Sequence, residues 1–240
     1  LWYYHRIEGK TVSKSLTDKL VAEIEQKIVK GEWGVGEKIP THREMVSLFS
    51  VSRSVINAAI KDLDSMGYLE IIPRKRIVVA DWKNQGTLSV LGALIREKAF
   101  DKKTLSSLLR SRELIETECA KLAALNSTPK NIEEIKNHIS LGKNILTISE
   151  KVEYDIKFHH LIAVASGNIV YALIIKSFED YSREFISPFY KSGDVFPFVS
   201  TRHEKLLSAI KDRDPESASN IMKEILSHGE KIILSLLDKL

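Results

Sequence analysis

The sequence predicts a mainly α-helical chain in two parts, a small N-terminal domain closed by a basic β-hairpin and a larger all-helical bundle. Three observations carry this. Apolar residues recur three and four apart over most of the chain. Two β-branched runs, 68–72 and 77–80, flank a short basic segment. Beyond Thr87 no convincing strand pair appears. A length of 240 residues suffices for two ordinary domains. Apolar content of 43% with 28% charged residues excludes a disordered or fibrous chain. The formal charge is only +4, so a nucleic-acid partner would need a local basic patch. The single cysteine, Cys119, excludes an intrachain disulfide, fits a reducing compartment and reads as a core residue of an apolar helix. No apolar run reaches the roughly 18 residues of a spanning helix. The start, Leu1-Trp2-Tyr3-Tyr4-His5-Arg6, lacks the apolar stretch of a signal peptide. The expectation is a soluble, cytoplasmic protein with no membrane partner.

In chain order, Leu16, Leu20, Ile24 and Ile28 are spaced by four and form the apolar stripe of a first helix ending near Gly31. Gly34 and Gly36 keep the next segment extended or turned. Thr41-His42-Arg43-Glu44 reads as a capping box that opens a short second helix. After Ser50-Val51, a third helix opens at Ser52, turns Val55, Ile56, Ala59, Ile60 and Leu63 inward, and stops at Gly67. The hairpin follows, with Arg74, Lys75 and Arg76 at its tip. This gives a winged helix-turn-helix over residues 1–81, a polar linker over 82–87, and a helical domain over 88–240. Trp33 and Trp82, near the domain edges, read as packing anchors.

In a winged helix-turn-helix the third helix lies in the major groove and its first turns meet base edges. Arg53 sits there, with Ser52, Ser54 and Asn57 on the outward face. Arg can pair bidentately with guanine and Asn with adenine. Arg74, Lys75 and Arg76 would meet phosphates or the minor groove. Residues 51–76 hold five basic and three acidic residues, so charge is placed and not abundant. The plainer reading is a solvated basic tip on an unrelated small domain.

These residues carry a resemblance. Ile28 to Glu32, Gly36 to Glu44, Val51 to Ile56, Leu63 and Gly67-Tyr68-Leu69 resemble the DNA-binding domain of the GntR family over most of residues 10–80. The resemblance implies operator contacts by Arg43 and Arg53, with Thr41 and Ser52 as phosphate partners. Two departures bear on the operator sequence. Asn57 stands where the family usually has a second Arg, and Arg76 where it usually has Gly.

The second half predicts six or seven helices. Leu105, Leu108, Leu109, Leu114, Ile115 and Leu122 line one long helix; another is expected to begin near Asn131; Asp214-Pro215 starts the last. Asp155 and His159, four apart, project from one helix face, and His203 begins a later helix. A carboxylate and imidazoles can hold a divalent transition metal and leave positions open for a ligand. An Asp and His at this spacing also occur as a plain surface pair, and His160 is an alternative ring. Tyr181, Phe185, Phe189 and Tyr190 read as helix core and bundle edge, with a cavity lining supplemented by Arg183 as the other reading.

Arg112 to Glu116, Asp155 to His159, Ser166-Gly167-Asn168, His203, Ala209-Ile210, Asp214, Ala218 and Met222 are similar to the FCD effector domain of the FadR-type branch of that family. The resemblance implies a divalent metal, zinc or nickel, on Asp155, His159 and His203. It further implies a small carboxylic acid effector that meets the metal and Arg112, with Asn168 in the same site. Ile225 stands where the family has a third His; His228 lies one turn further on. A metal site of two His and one Asp, or a direct polar pocket without metal, both fit that departure. The stretches 80–84 and 90–94 resemble the sugar-acid regulators of this branch, of galactonate-operon type.

The function expected is a ligand-responsive transcriptional repressor of carbohydrate-acid or organic-acid genes. As a homodimer it would bind a palindromic double-stranded operator and be released by a small carboxylate. The rival is an all-helical metal-dependent enzyme in which Asp155, His159 and His203 activate water, with an appended basic domain. A third reading is a helical protein that binds nucleic acid without specificity.

Overall fold

The computed structural model describes residues 15–73 and 76–237, with only the backbone described for Asp180, Tyr181 and Leu237. Arg74 and Lys75 therefore lie outside the described residues, as do the N-terminal stretch read against a signal peptide and the side chain of Tyr181. The chain divides into two compact units, residues 1–99 and 100–240.

The first unit opens with three helices and a hairpin. Helix α1 (Leu16–Val29) is capped by a reciprocal Ser15–Asp18 box. It buries Leu20, Ile24 and Ile28, while Leu16 at the end of the expected stripe is exposed. Helix α2 (His42–Phe49) begins at the Thr41–Glu44 box and ends at Ser50, whose left-handed backbone turns the chain towards α3. Helix α3 (Arg53–Ser65) is capped by Ser52 and buries Ile56, Ala59, Ile60 and Leu63. Its end is a Schellman turn. Gly67 takes φ +80°, its amide donates to the Asp64 carbonyl, and the Tyr68 amide donates to that of Leu63.

Strands β1 (Leu69–Ile72) and β2 (Arg76–Val79) pair antiparallel, with Leu69 opposite Val79 and Ile72 opposite Arg76. The segment after Gly34 joins them as a third, short edge. Gly36 donates to the Val79 carbonyl, and Val79 donates back to Glu37. Residues expected as linker begin instead with a short helix, α4 (Trp82–Gln85). Helix α5 (Ser89–Arg96), expected in the bundle, belongs to the first unit. Arg96 pairs with the buried Glu25 at 2.7 Å, and Glu97 accepts from Gln26 at 2.7 Å and Lys30 at 3.0 Å. The boundary between units moves to Ala99 and Phe100 for that reason.

The second unit is all helical among its described residues: α6 (Lys102–Asn126), α7 (Pro129–Leu141), α8 (Ile148–Ala165), α9 (Ile169–Lys191), α10 (Phe196–Lys211) and α11 (Pro215–Leu237). Helix α7 starts two residues earlier than expected. Thr128 is its cap, and Asn131 is the third residue of the Thr128 box, not the start of one. The Asp214 carboxylate accepts the Ser217 amide at the start of α11, as the Asp-Pro pair predicts. Long α6 is flanked by α8 and α11, and buries Leu105, Leu109, Glu116 and Cys119 while leaving Leu114 exposed. Burial pushes the Cys119 thiol up to about 12, which suits a packing residue. No helix among the described residues is long and apolar enough to cross a membrane.

Gly67→Ala tests the turn between α3 and the hairpin. A Cβ there would lie 2.4 Å from the Gln85 carbonyl oxygen, on a backbone that already disfavours side chains. The expected result is a loss of more than about 1 kcal/mol in urea denaturation, whereas Gly31→Ala, with open space around it, loses less.

Candidate functional sites: an exposed helix face and a buried polar cluster

In the first unit, caps and exposure coincide. Thr41, Arg43, Ser52, Arg53, Ser54 and Asn57 are all exposed, at the starts of α2 and α3. The Thr41 hydroxyl is committed to the Glu44 amide and the Ser52 hydroxyl to that of Val55; Ser52 and Ser54 share a hydrogen bond of 2.8 Å. Arg53 and Asn57 are followed at the same interval by Lys61, also exposed, which the sequence reading passed over. Periodicity from Asn57 would have found it. Arg76, at the start of β2, is exposed as well. A helix face carrying a guanidinium, an amide and an ammonium one turn apart can reach base edges and phosphates.

In the second unit, three helices bring charge into the core. Arg112 and Glu116 lie one turn apart on α6, and the Arg112 Nε donates to the Glu116 carboxylate. The other Glu116 oxygen accepts from Nδ1 of His159 on α8. Burial by itself would raise the Glu116 carboxyl, but Arg112 and His159 hold it down at about 2. Glu116 is thus a carboxylate in the core, satisfied from both sides. With Nδ1 turned to Glu116, the His159 ring presents its Nε2 elsewhere. That nitrogen lies 3.8 Å from one Asp155 oxygen, and Nε2 of His203 lies 3.6 Å from the other.

His203, on α10, is fully buried, stacked on Phe158 at 3.5 Å between ring centroids. Neither of its ring nitrogens has a hydrogen-bond partner. Burial, reinforced by His159, pushes its pKa well below the usual value, so the ring is neutral at pH 7. One ligand atom from each of Asp155, His159 and His203 lies within 4.8 Å of the others. Orphaned, neutral imidazole nitrogens facing a carboxylate at these spacings fit a divalent transition metal in their donor chemistry. Glu116 takes the outer position that commonly orients a ligating imidazole. The Tyr190 hydroxyl is buried beside Asp155; burial and then that carboxylate push its pKa far above its usual range.

The remaining residues singled out by sequence divide. Arg112 and His159 line two cavities, one reaching Phe178 and Ser182 and the other reaching Asp155 and Ile225. Ile225 is 7% exposed and occupies the cavity wall, while His228 packs its ring on Phe198 at 4.1 Å and is not part of the cluster. His160 turns to Glu179 at 3.8 Å. Arg183 is held by Glu153 at 2.6 and 2.9 Å. Asn168 caps α9, accepting from the amides of Val170 and Tyr171, and lines neither cavity. Glu116 is not legible as a site residue from its helix alone, because its role lies in a bond to His159 on another helix; Tyr190 falls in the aromatic run whose second reading is a cavity lining.

Residues 16–79 match the GntR family of bacterial regulatory proteins, and residues 107–228 match the FCD domain. The chain belongs to the GntR family of bacterial regulatory proteins, in the branch that carries an FCD domain, and is a regulator of transcription, not an enzyme. It is 24% identical over 216 residues to the HTH-type transcriptional repressor NanR of Klebsiella aerogenes, spanning 88% of this chain and 82% of that one. It is 27% identical over 234 residues to the Exu regulon transcriptional regulator of Escherichia coli K12, spanning 93% and 86%. Among solved structures, that of Lar, which controls expression of the Listeria monocytogenes agr system, is similar with a TM-score of 0.67. It covers 93% of this chain and 99% of that one at 16% identity, a likeness of fold.

The buried chain Arg112–Glu116–His159 sets a stability test. Glu116→Ala leaves a half-buried guanidinium without its carboxylate and is expected to cost about 3 kcal/mol in urea denaturation. Glu116→Gln, which keeps hydrogen-bonding capacity, should cost less.

Proposed function

We propose that this regulator is a repressor of carbohydrate-acid or organic-acid genes, released from its operator by a small carboxylate bound at the cluster around His159. The observation that carries the reading is the buried His203 ring, both nitrogens orphaned and Nε2 3.6 Å from Asp155, with the half-buried Arg112 nearby. A polar site this deep in a helical bundle costs stability unless a ligand completes it. Asp155, His159 and His203 would hold zinc or nickel, which supplies a Lewis-acidic partner for a carboxylate oxygen. Arg112 would take the other oxygen, since a guanidinium fork matches two carboxylate oxygens. The names of the relatives, a NanR repressor and an Exu regulon regulator, support repression and acid metabolism.

In the first unit, Arg53, Ser54 and Asn57 read bases, while Thr41, Arg43, Ser52 and the hairpin residues Arg74, Lys75 and Arg76 hold the phosphate backbone. Two chains pair and place two α3 helices about one DNA turn apart on a palindromic operator in the cytoplasm. The apolar residues Ile169, Val170 and Leu173, 73%, 57% and 53% exposed, support a surface available for pairing. Effector release follows if the ligand binds more tightly to the geometry that does not fit the operator.

Selection of DNA by the protein from a random library, followed by anisotropy titration at fixed salt, tests this reading. Arg53→Ala is expected to lose about 1–3 kcal/mol on the selected site and much less on random DNA. Adding zinc and carboxylic acids in turn is expected to weaken the wild-type complex with at least one acid. Equal affinity for selected and random DNA would contradict the operator reading. Indifference to every acid would contradict the release mechanism.

A further inference from the structure

We propose that the effector is a carboxylic acid with a hydrocarbon body and not a polyhydroxy acid, because the cavity that borders Arg112, Asp155 and His159 is walled by buried apolar side chains. The inference rests on the carboxylate reading above and specifies its class. Of the two cavities that share Arg112 and His159, Asp155 borders only one, and that one is where a ligand on the cluster would extend.

The lining changes character from helix to helix. From α6 and α8 come Arg112, Asp155 and His159. From α9, α10 and α11 come Ile186, Phe189, Val199, Ile225 and Ile233, each less than a tenth exposed. Among the described residues no Ser, Thr, Asn, Gln or Lys lines this cavity. Glu113 and Glu230, both partly exposed, add acceptors only.

A polyhydroxy acid needs a partner for every hydroxyl it takes out of water. Here the guanidinium is matched to the carboxylate, and Asp155 and His159 are matched to the metal. Hydroxyls beyond reach of the partly exposed Glu113 and Glu230 carboxylates would then meet isoleucine, valine and phenylalanine and lose their hydration without replacement. A hydrocarbon chain on the same carboxylate would gain from burial against those groups. Ile225 is central to this. At the position where the family resemblance places an imidazole, this chain puts a branched hydrocarbon into the cavity wall.

Isothermal titration of the full chain with hexanoate and with gluconate tests the assignment, in zinc and again in chelator. The two acids share six carbons and a carboxylate and differ in their hydroxyls. Hexanoate is expected to bind roughly tenfold or more tightly than gluconate, the effect of leaving even one or two buried hydroxyls unpaired. Ile225→Thr, which puts a hydroxyl on that wall, is expected to narrow the ratio. Gluconate binding as tightly as hexanoate, or more tightly, overturns the hydrocarbon assignment and leaves the carboxylate sensor standing. Binding of neither acid in either condition overturns both.

Discussion

The second unit is organised around one ionised carboxylate in its core. Glu116 lies in a helix flanked on two sides, where an unpaired charge would be untenable. It is tolerated because Arg112 reaches it from one turn earlier on α6 and His159 reaches it from α8. That arrangement has consequences beyond charge balance. It holds one edge of the His159 ring, so the other edge must face Asp155 and His203. It also holds the Arg112 guanidinium by its Nε, at the border of two cavities. A single pairing thereby sets the orientation of the His159 ring and of the Arg112 guanidinium together.

The first unit solves a different problem, that of presenting polar groups on short helices. Thr41 and Ser52 each accept an amide at a helix start, which fixes where α2 and α3 begin. The left-handed Ser50 and Gly67 fix where α2 and α3 stop. With both ends of α3 determined and Ile56, Ala59, Ile60 and Leu63 buried, the exposed face with Arg53, Asn57 and Lys61 has one orientation available to it within the unit. The rigidity of that face comes from caps and core more than from the exposed residues themselves.

Much of this is legible in the sequence. Local rules located α2 and α3 because capping boxes and a terminal glycine are encoded within a few residues. The Asp155–His159 spacing located the cluster because helix geometry alone puts them on one face. Three things were hidden, each for a physical reason. The position of α5 depends on Arg96 meeting Glu25 across some seventy residues, and no local pattern records such a pair. The start of α7 is expected near Asn131 because Asn131-Ile132-Glu133-Glu134 imitates a capping box, whereas the real box runs from Thr128 with Asn131 as its third residue. Glu116 was passed over as a site residue because its importance lies in a bond to a residue 43 positions away. Asn168 is a different case, a polar residue whose side-chain oxygen caps α9 and which lines neither cavity.

The measurement that bears most directly on this account is a crystal structure of the zinc-loaded protein, with anomalous data collected at the zinc edge. The account predicts one strong peak within ligating distance of Nε2 of His159, Nε2 of His203 and the Asp155 carboxylate, with Nδ1 of His159 still donating to Glu116 and Arg112 facing an open coordination position. A zinc peak elsewhere in the chain would contradict it. So would a His159 ring turned so that Nε2 bonds Glu116 and the three ligand atoms no longer converge.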